Sequence, residues 1–138
     1  MTRGLERRWL QVVVAIACLV PLGAGTAGMW LGPRMVDSSV VGSPDIDSHF
    51  RYLSGLLLGI GVGFISTIPE IERRGNRFRL LTLMVVLGGV GRLMSLLSIG
   101  VASPAMDAAL VMELVVTPAL ALWQWRIAAQ TADRAVIL

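Results

Sequence analysis

The chain has no lysine, one cysteine, one histidine and one tyrosine, and only 15% of its 138 residues are charged. Each shortage excludes something. Cys18 alone cannot form a disulfide or a cysteine metal site within the chain. His49 alone cannot build a histidine-rich metal site, so no metal is expected. No Ser/His/Asp set stands at a recognisable elbow and no cofactor fingerprint occurs, so neither catalytic residues nor a cofactor are expected. Gly55, Gly59, Gly61 and Gly63 faintly imitate a nucleotide loop, but the spacing is wrong and no strand precedes them.

What the chain has in excess is apolar surface. With 55% hydrophobic residues and a mean hydropathy of +0.74, it is too apolar for a soluble domain of its size. Four runs reach the roughly 20 residues that a membrane-spanning helix needs. They cover about 9–31, 50–69, 78–100 and 106–125. The runs are continuously apolar, whereas strands of a membrane barrel would alternate over about ten residues. The expected fold is therefore all-α, a four-helix transmembrane bundle forming a single domain over 1–138.

All twelve basic residues are arginine, and their placement sets an orientation. Arg3, Arg7 and Arg8 precede the first run; Arg73, Arg74, Arg77 and Arg79 join the second to the third; Arg126 and Arg134 follow the fourth. The opposite side holds Arg34 and Arg51 among Asp37, Asp45, Asp47 and Asp107. By the positive-inside rule both termini are expected in the cytoplasm. Arginines that flank spans, without interleaved aromatics on a soluble face, speak against nucleic-acid binding and for contact with membrane lipids. The Arg-rich start and Ala15-Ile16-Ala17-Cys18 imitate a secretory leader, but the apolar run continues to Leu31, so a retained first helix is expected.

The connection Gly32 to Ser48 carries Pro33, Gly42, Pro44 and three aspartates and is expected to be an exposed loop. In the first run Pro21, Gly23, Gly25 and Gly28 predict a kink or a closely approaching neighbour. In the second, Arg51, Gly55, Gly59 and Gly63 recur every four residues and form one helical stripe. In the third, Gly88, Arg92 and Ser95 share a face, with Gly91 beside them. Gly55, Gly59, Gly63, Gly88, Gly91 and Ser95 are the expected helix-packing positions, since small residues let helix backbones approach in lipid.

Arg92 and Glu113 are the charged residues well inside apolar runs. Arg92 lies eight residues before Gly100 and Glu113 nine after Pro104. At about 1.5 Å rise per residue both lie roughly 12–14 Å from the turn between them. An unpaired arginine at mid-helix costs about 2.5–3.5 kcal/mol on insertion scales, so the two are expected to meet. The pair reads either as a clamp that fixes the helical hairpin or as the floor of a polar pocket. His49 and Arg51, at the start of the second run, are candidates for the mouth of such a pocket. A proton relay is disfavoured because arginine keeps its proton.

Arg51-Tyr52-Leu53-Ser54-Gly55 with Gly59 and Gly61, then Gly91-Arg92-Leu93-Met94-Ser95, Gly100, Pro104 and Glu113-Leu114, carry a resemblance. Over about residues 50–126 the chain resembles a bacterial family known as domain of unknown function 4345. The resemblance implies a small four-helix integral membrane protein of the bacterial cytoplasmic (inner) membrane, without an established activity. Two functional expectations stand beside each other. One is an accessory or interaction subunit that packs through glycine-rich faces against a second copy or a larger membrane complex. The other is a periplasm-facing site for a lipid, quinone or other amphipathic small molecule, built on Arg92 and Glu113 with Arg51 and His49 at the rim. An isomerase-type enzyme using Glu113 would need that carboxylate open to a cavity.

Overall fold

The computed structural model describes residues 3–39, 43–101 and 103–135. Gly42, read above as a turn residue, lies outside them. The described chain is all-helical. Helix α1 spans Arg3–Leu31, α2 Pro44–Ile65, α3 Gly75–Ile99, α4 Pro104–Val111 and α5 Thr117–Ala135, with a π-helical turn at Met112–Val116 joining the last two. Together α4, the π turn and α5 make one long segment, so the described residues include four helices long and apolar enough to cross a membrane.

The helix boundaries differ from the hydropathy runs because caps, not apolar residues, start and stop helices. The expected loop over 32–48 is shorter than that range. Gly32–Met35 forms a 3-10 turn, and α2 begins at Pro44. The Ser43 hydroxyl accepts from the Ile46 backbone N–H at 3.3 Å. Pro44 occupies the first turn with no N–H to leave unpaired, and Asp45 and Asp47 sit against the positive end of the helix. At the other end α2 stops at Ile65, short of the expected Pro69, and Ile68–Glu70 forms a 3-10 turn. Gly100, at φ +114°, ends α3 in a conformation that favours glycine.

The chain resolves into two compact units. One comprises Val13–Ser66, the greater part of α1 together with α2. Its helices close where side chains vanish. A Cβ added to Gly25 would lie 2.7 Å from the Leu58 backbone nitrogen, and one added to Gly61 would lie 3.2 Å from Leu22. A Cβ at Gly28 would collide with the Ser54 hydroxyl. Ser54 is buried and donates to the Phe50 carbonyl at 2.8 Å. Helices in lipid gain little from apolar contact alone, so this backbone proximity supplies their attraction.

The other unit comprises Met1–Val12 with Thr67–Leu138. Phe78, Leu10 and Ile71 are its most deeply buried large apolar side chains. Polar ties hold the α2–α3 connection. Gln124, buried on α5, donates to the Ile71 carbonyl at 2.7 Å. Gln11 donates to the Ile68 carbonyl at 2.7 Å, and Arg7 to the Pro69 carbonyl at 2.8 Å. Arg7 also pairs with Glu72 at 2.9 Å, Arg74 with Glu70 at 2.9 Å, and the Trp123 indole donates to Glu6 at 3.2 Å. The charged connection thus pairs partly within itself, Arg74 with Glu70, and partly with helices distant in sequence, which take up the carbonyls of Ile68, Pro69 and Ile71.

The glycine contacts predict unequal tolerance of the smallest side chain. Gly25→Ala forces a methyl into the Leu58 backbone and is expected to destabilise the protein by about 1–3 kcal/mol, as overpacking does. Gly23 has nothing within 4 Å of an added Cβ among the described residues. Gly23→Ala is therefore expected to be neutral or to stabilise by up to about 1 kcal/mol through helix propensity. Denaturant titration in detergent micelles, followed by helical circular dichroism, ranks the two; equal midpoints would contradict the packing described.

Candidate functional site

Arg92 on α3 and Glu113 in the π turn meet as a bidentate ion pair. Arg92 Nε donates to Glu113 Oε2 at 3.0 Å and Nη2 to Oε1 at 3.0 Å. This fork-to-fork geometry is the strongest form of the interaction and fixes the guanidinium plane. A third N–H, on Nη1, points at the Met106 sulfur at 2.9 Å.

Local sequence explains how the two groups are brought together. Pro118 has no N–H to offer the Leu114 carbonyl one turn back, and its ring crowds that carbonyl. The helix answers by widening. Met112–Val116 is π-helical, and the Thr117 N–H and hydroxyl both turn to the Met112 carbonyl, the hydroxyl at 2.8 Å. Such wide turns frequently occur at functional sites. On the facing helix Gly89 is buried, and an added Cβ would lie 2.7 Å from Leu114 Cδ2 and 2.9 Å from Glu113 Cβ. Gly89, three residues before Arg92, is thus the glycine that brings α3 against the carboxylate. Sequence reasoning preferred Gly88 and Gly91; the missed signal was that positions 89, 92 and 96 also share a helical face.

The pair is not sealed. The Arg92 side chain keeps 35% of its exposure and Glu113 19%. Beside them opens a cleft of about 170 Å³ lined by Arg92, Ser95, Leu96, Met106, Asp107 and Leu110 among others. Ser95, expected to pack, is exposed at this cleft.

The other expected site residues lie in the Val13–Ser66 unit. Arg51 donates through Nε and Nη2 to Asp47 at 2.7 and 3.2 Å, and through Nη1 to the carbonyls of Met29 and Trp30 at 2.6 and 3.0 Å. It thereby caps the C-terminal carbonyls of α1, where a cation is favoured. His49 is exposed, its ring centroid 6.5 Å from that of Tyr52. Among the expected packing positions, Gly55 has Met29 Sδ at 3.6 Å from an added Cβ, while Gly59, Gly88 and Gly91 have nothing within 4 Å among the described residues. The Gly63 carbonyl accepts from the Ser66 hydroxyl at 2.6 Å. Among the described residues no three His, Cys, Asp or Glu side chains come together as metal ligands.

Breaking the ion pair on one side only leaves a charge in a poorly solvated place. Arg92→Met or Glu113→Leu alone is expected to lower stability by about 2 kcal/mol, less than the 3–5 of a fully buried pair because about a third of the Arg92 side chain is left uncovered by protein. The double variant is expected to recover much of the loss. A double-mutant cycle in detergent measures the coupling, and additive single losses would show that the two groups do not stabilise each other.

No curated protein and no solved structure matches the chain at a meaningful level. A family model does, over residues 9–124, which takes in the first helix as well as the Gly-Arg and Glu-Leu segments that carry the ion pair. The chain therefore belongs to the family described as Domain of unknown function (DUF4345).

Proposed function

We propose that the protein is a multi-pass protein of the bacterial cytoplasmic membrane that acts as a non-catalytic interaction subunit, pairing with a second copy of itself through α3. The observation that carries this reading is the open face formed by Gly88 and Gly91. Both are exposed, and an added Cβ at either meets nothing within 4 Å among the described residues. Glycine in a helix interior costs about 1 kcal/mol relative to alanine. At Gly89 that cost is offset by the approach of Leu114 and Glu113; at Gly88 and Gly91, neighbours on one face of α3, the arrival of another helix would offset it. An isologous pairing of α3 with its copy brings two such glycine faces together at the distance small-residue interfaces reach in lipid.

The arginine distribution supports an orientation with both termini in the cytoplasm. Trp9 and Trp125 are exposed beside Arg8 and Arg126, as interfacial anchors are. On that placement Asp45 and Asp107 lie on the periplasmic side.

Association is measured by sedimentation equilibrium in density-matched detergent and by step-counting of singly labelled protein in bilayers. Wild type is expected to be dimeric. Gly88→Leu/Gly91→Leu is expected to be monomeric while keeping its helix content, since both added side chains point into open space. A monomeric wild type in bilayers, or a double variant that stays dimeric, would refute self-association through this face.

A further inference from the structure

The guanidinium of Arg92 is only partly satisfied by its partners. Arginine offers five N–H donors. Two go to Glu113 and a third to the Met106 thioether, a weak acceptor. The remaining two have no acceptor among the described residues. At the edge of a membrane-spanning hairpin such donors are costly to leave unmatched. The cleft beside them is where an acceptor would enter, and Ser95 and Asp107 stand on its wall.

We infer that this cleft is a binding site for the head of an uncharged amphiphile that carries an acceptor oxygen next to a hydroxyl. Three observations define the class. First, the sulfur of Met106 occupies the place of an oxygen acceptor, and a flexible methionine yields it readily. A carbonyl or ester oxygen there makes the stronger, charge-assisted bond. Second, the formal charges around the cleft are one guanidinium against the carboxylates of Glu113 and Asp107. The surplus is negative, so an anionic head meets repulsion that a neutral head does not. Asp107 and Ser95 instead suit a ligand hydroxyl, which can donate to either. Third, about 170 Å³ is well below the roughly 300–1,000 Å³ of a pocket that swallows a whole drug-sized ligand. Only a head fits. Leu96 and Leu110 on the wall supply apolar contact for the start of an alkyl tail.

An acylglycerol places an ester oxygen, and a ubiquinol a methoxy oxygen, next to a hydroxyl, and the test separates the two sources. Full-length protein in dodecyl maltoside is titrated with 1-oleoylglycerol, with decylubiquinol kept reduced, and with oleate as the anionic counterpart of equal chain length, reading the melting temperature. At least one uncharged probe is expected to raise it in a saturable manner, and which one does names the source; oleate is expected to be weaker by about tenfold or more. Leu110→Trp fills the cleft from α4, away from the glycine face of α3, and is expected to weaken the uncharged probe by about tenfold without altering oligomeric state. Asp107→Asn removes the surplus charge without touching the ion pair and is expected to narrow the gap between oleate and the uncharged probe. The inference is overturned if neither uncharged probe binds, if oleate binds wild type as well as they do, or if both variants respond as wild type does.

Discussion

A guanidinium held at lipid depth by a carboxylate is the constraint around which the Thr67–Leu138 portion of the chain is arranged. Hydrocarbon offers an arginine no water, so Glu113 must reach the level of Arg92 and present both oxygens to it. Every local oddity nearby serves that meeting. The turn after Gly100 is short enough to pair α3 with the next segment. Gly89 removes the one side chain that would hold the backbones apart. Pro118 widens the helix around Glu113, and Thr117 takes up the carbonyl at the start of the wide turn. A regular helix with a larger residue at position 89 would keep the same charges and lose their contact.

The two compact units use different cohesion. Within Val13–Ser66 the helices rely on close approach at glycines, to the Leu58 backbone at Gly25 and to neighbouring side chains at Gly28 and Gly61, with Arg51 closing the end of α1. Within the other unit, side-chain amides and arginines take up the carbonyls of a connection that has no regular helix of its own to satisfy them. Both solutions follow from one rule: in lipid a polar group left without a partner is expensive, and apolar contact alone discriminates weakly between one helix arrangement and another.

Four helices of spanning length were legible in the sequence because continuous hydropathy is a signal integrated over about 20 residues. The Arg92–Glu113 contact was legible too, since two isolated charges equidistant from a short turn have few other ways to be satisfied. Helix ends were not, because hydropathy is blind to Ser43-Pro44 as a start and to Gly100 as a stop. The choice among Gly88, Gly89 and Gly91 was also out of reach: three glycines within four positions all permit approach, and only the direction of the neighbouring helix says which one it uses. Arg51 illustrates the same gap. Its charge at the start of the second run made it a candidate for a pocket rim, but only the structure shows that, one turn after Asp47 and opposite the end of α1, it also caps that helix.

Clamp and binding site need not be rival readings of a charge pair in a membrane: in the site proposed above the first prepares the second. Bidentate pairing consumes the Nε–Nη2 edge of Arg92 and so fixes the plane in which the remaining N–H groups lie. A lone arginine would snorkel toward water and sample many directions; one locked to Glu113 presents the same donors to the same cleft at all times. Pre-organisation of this kind lowers the ordering cost of taking up a partner. Had the interaction been structural only, a backbone carbonyl or second carboxylate on α4 would complete it better than the sulfur of Met106. That a soft, displaceable atom stands there, beside an opening walled by Ser95 and Asp107, is what supports the proposed site over a dry clamp.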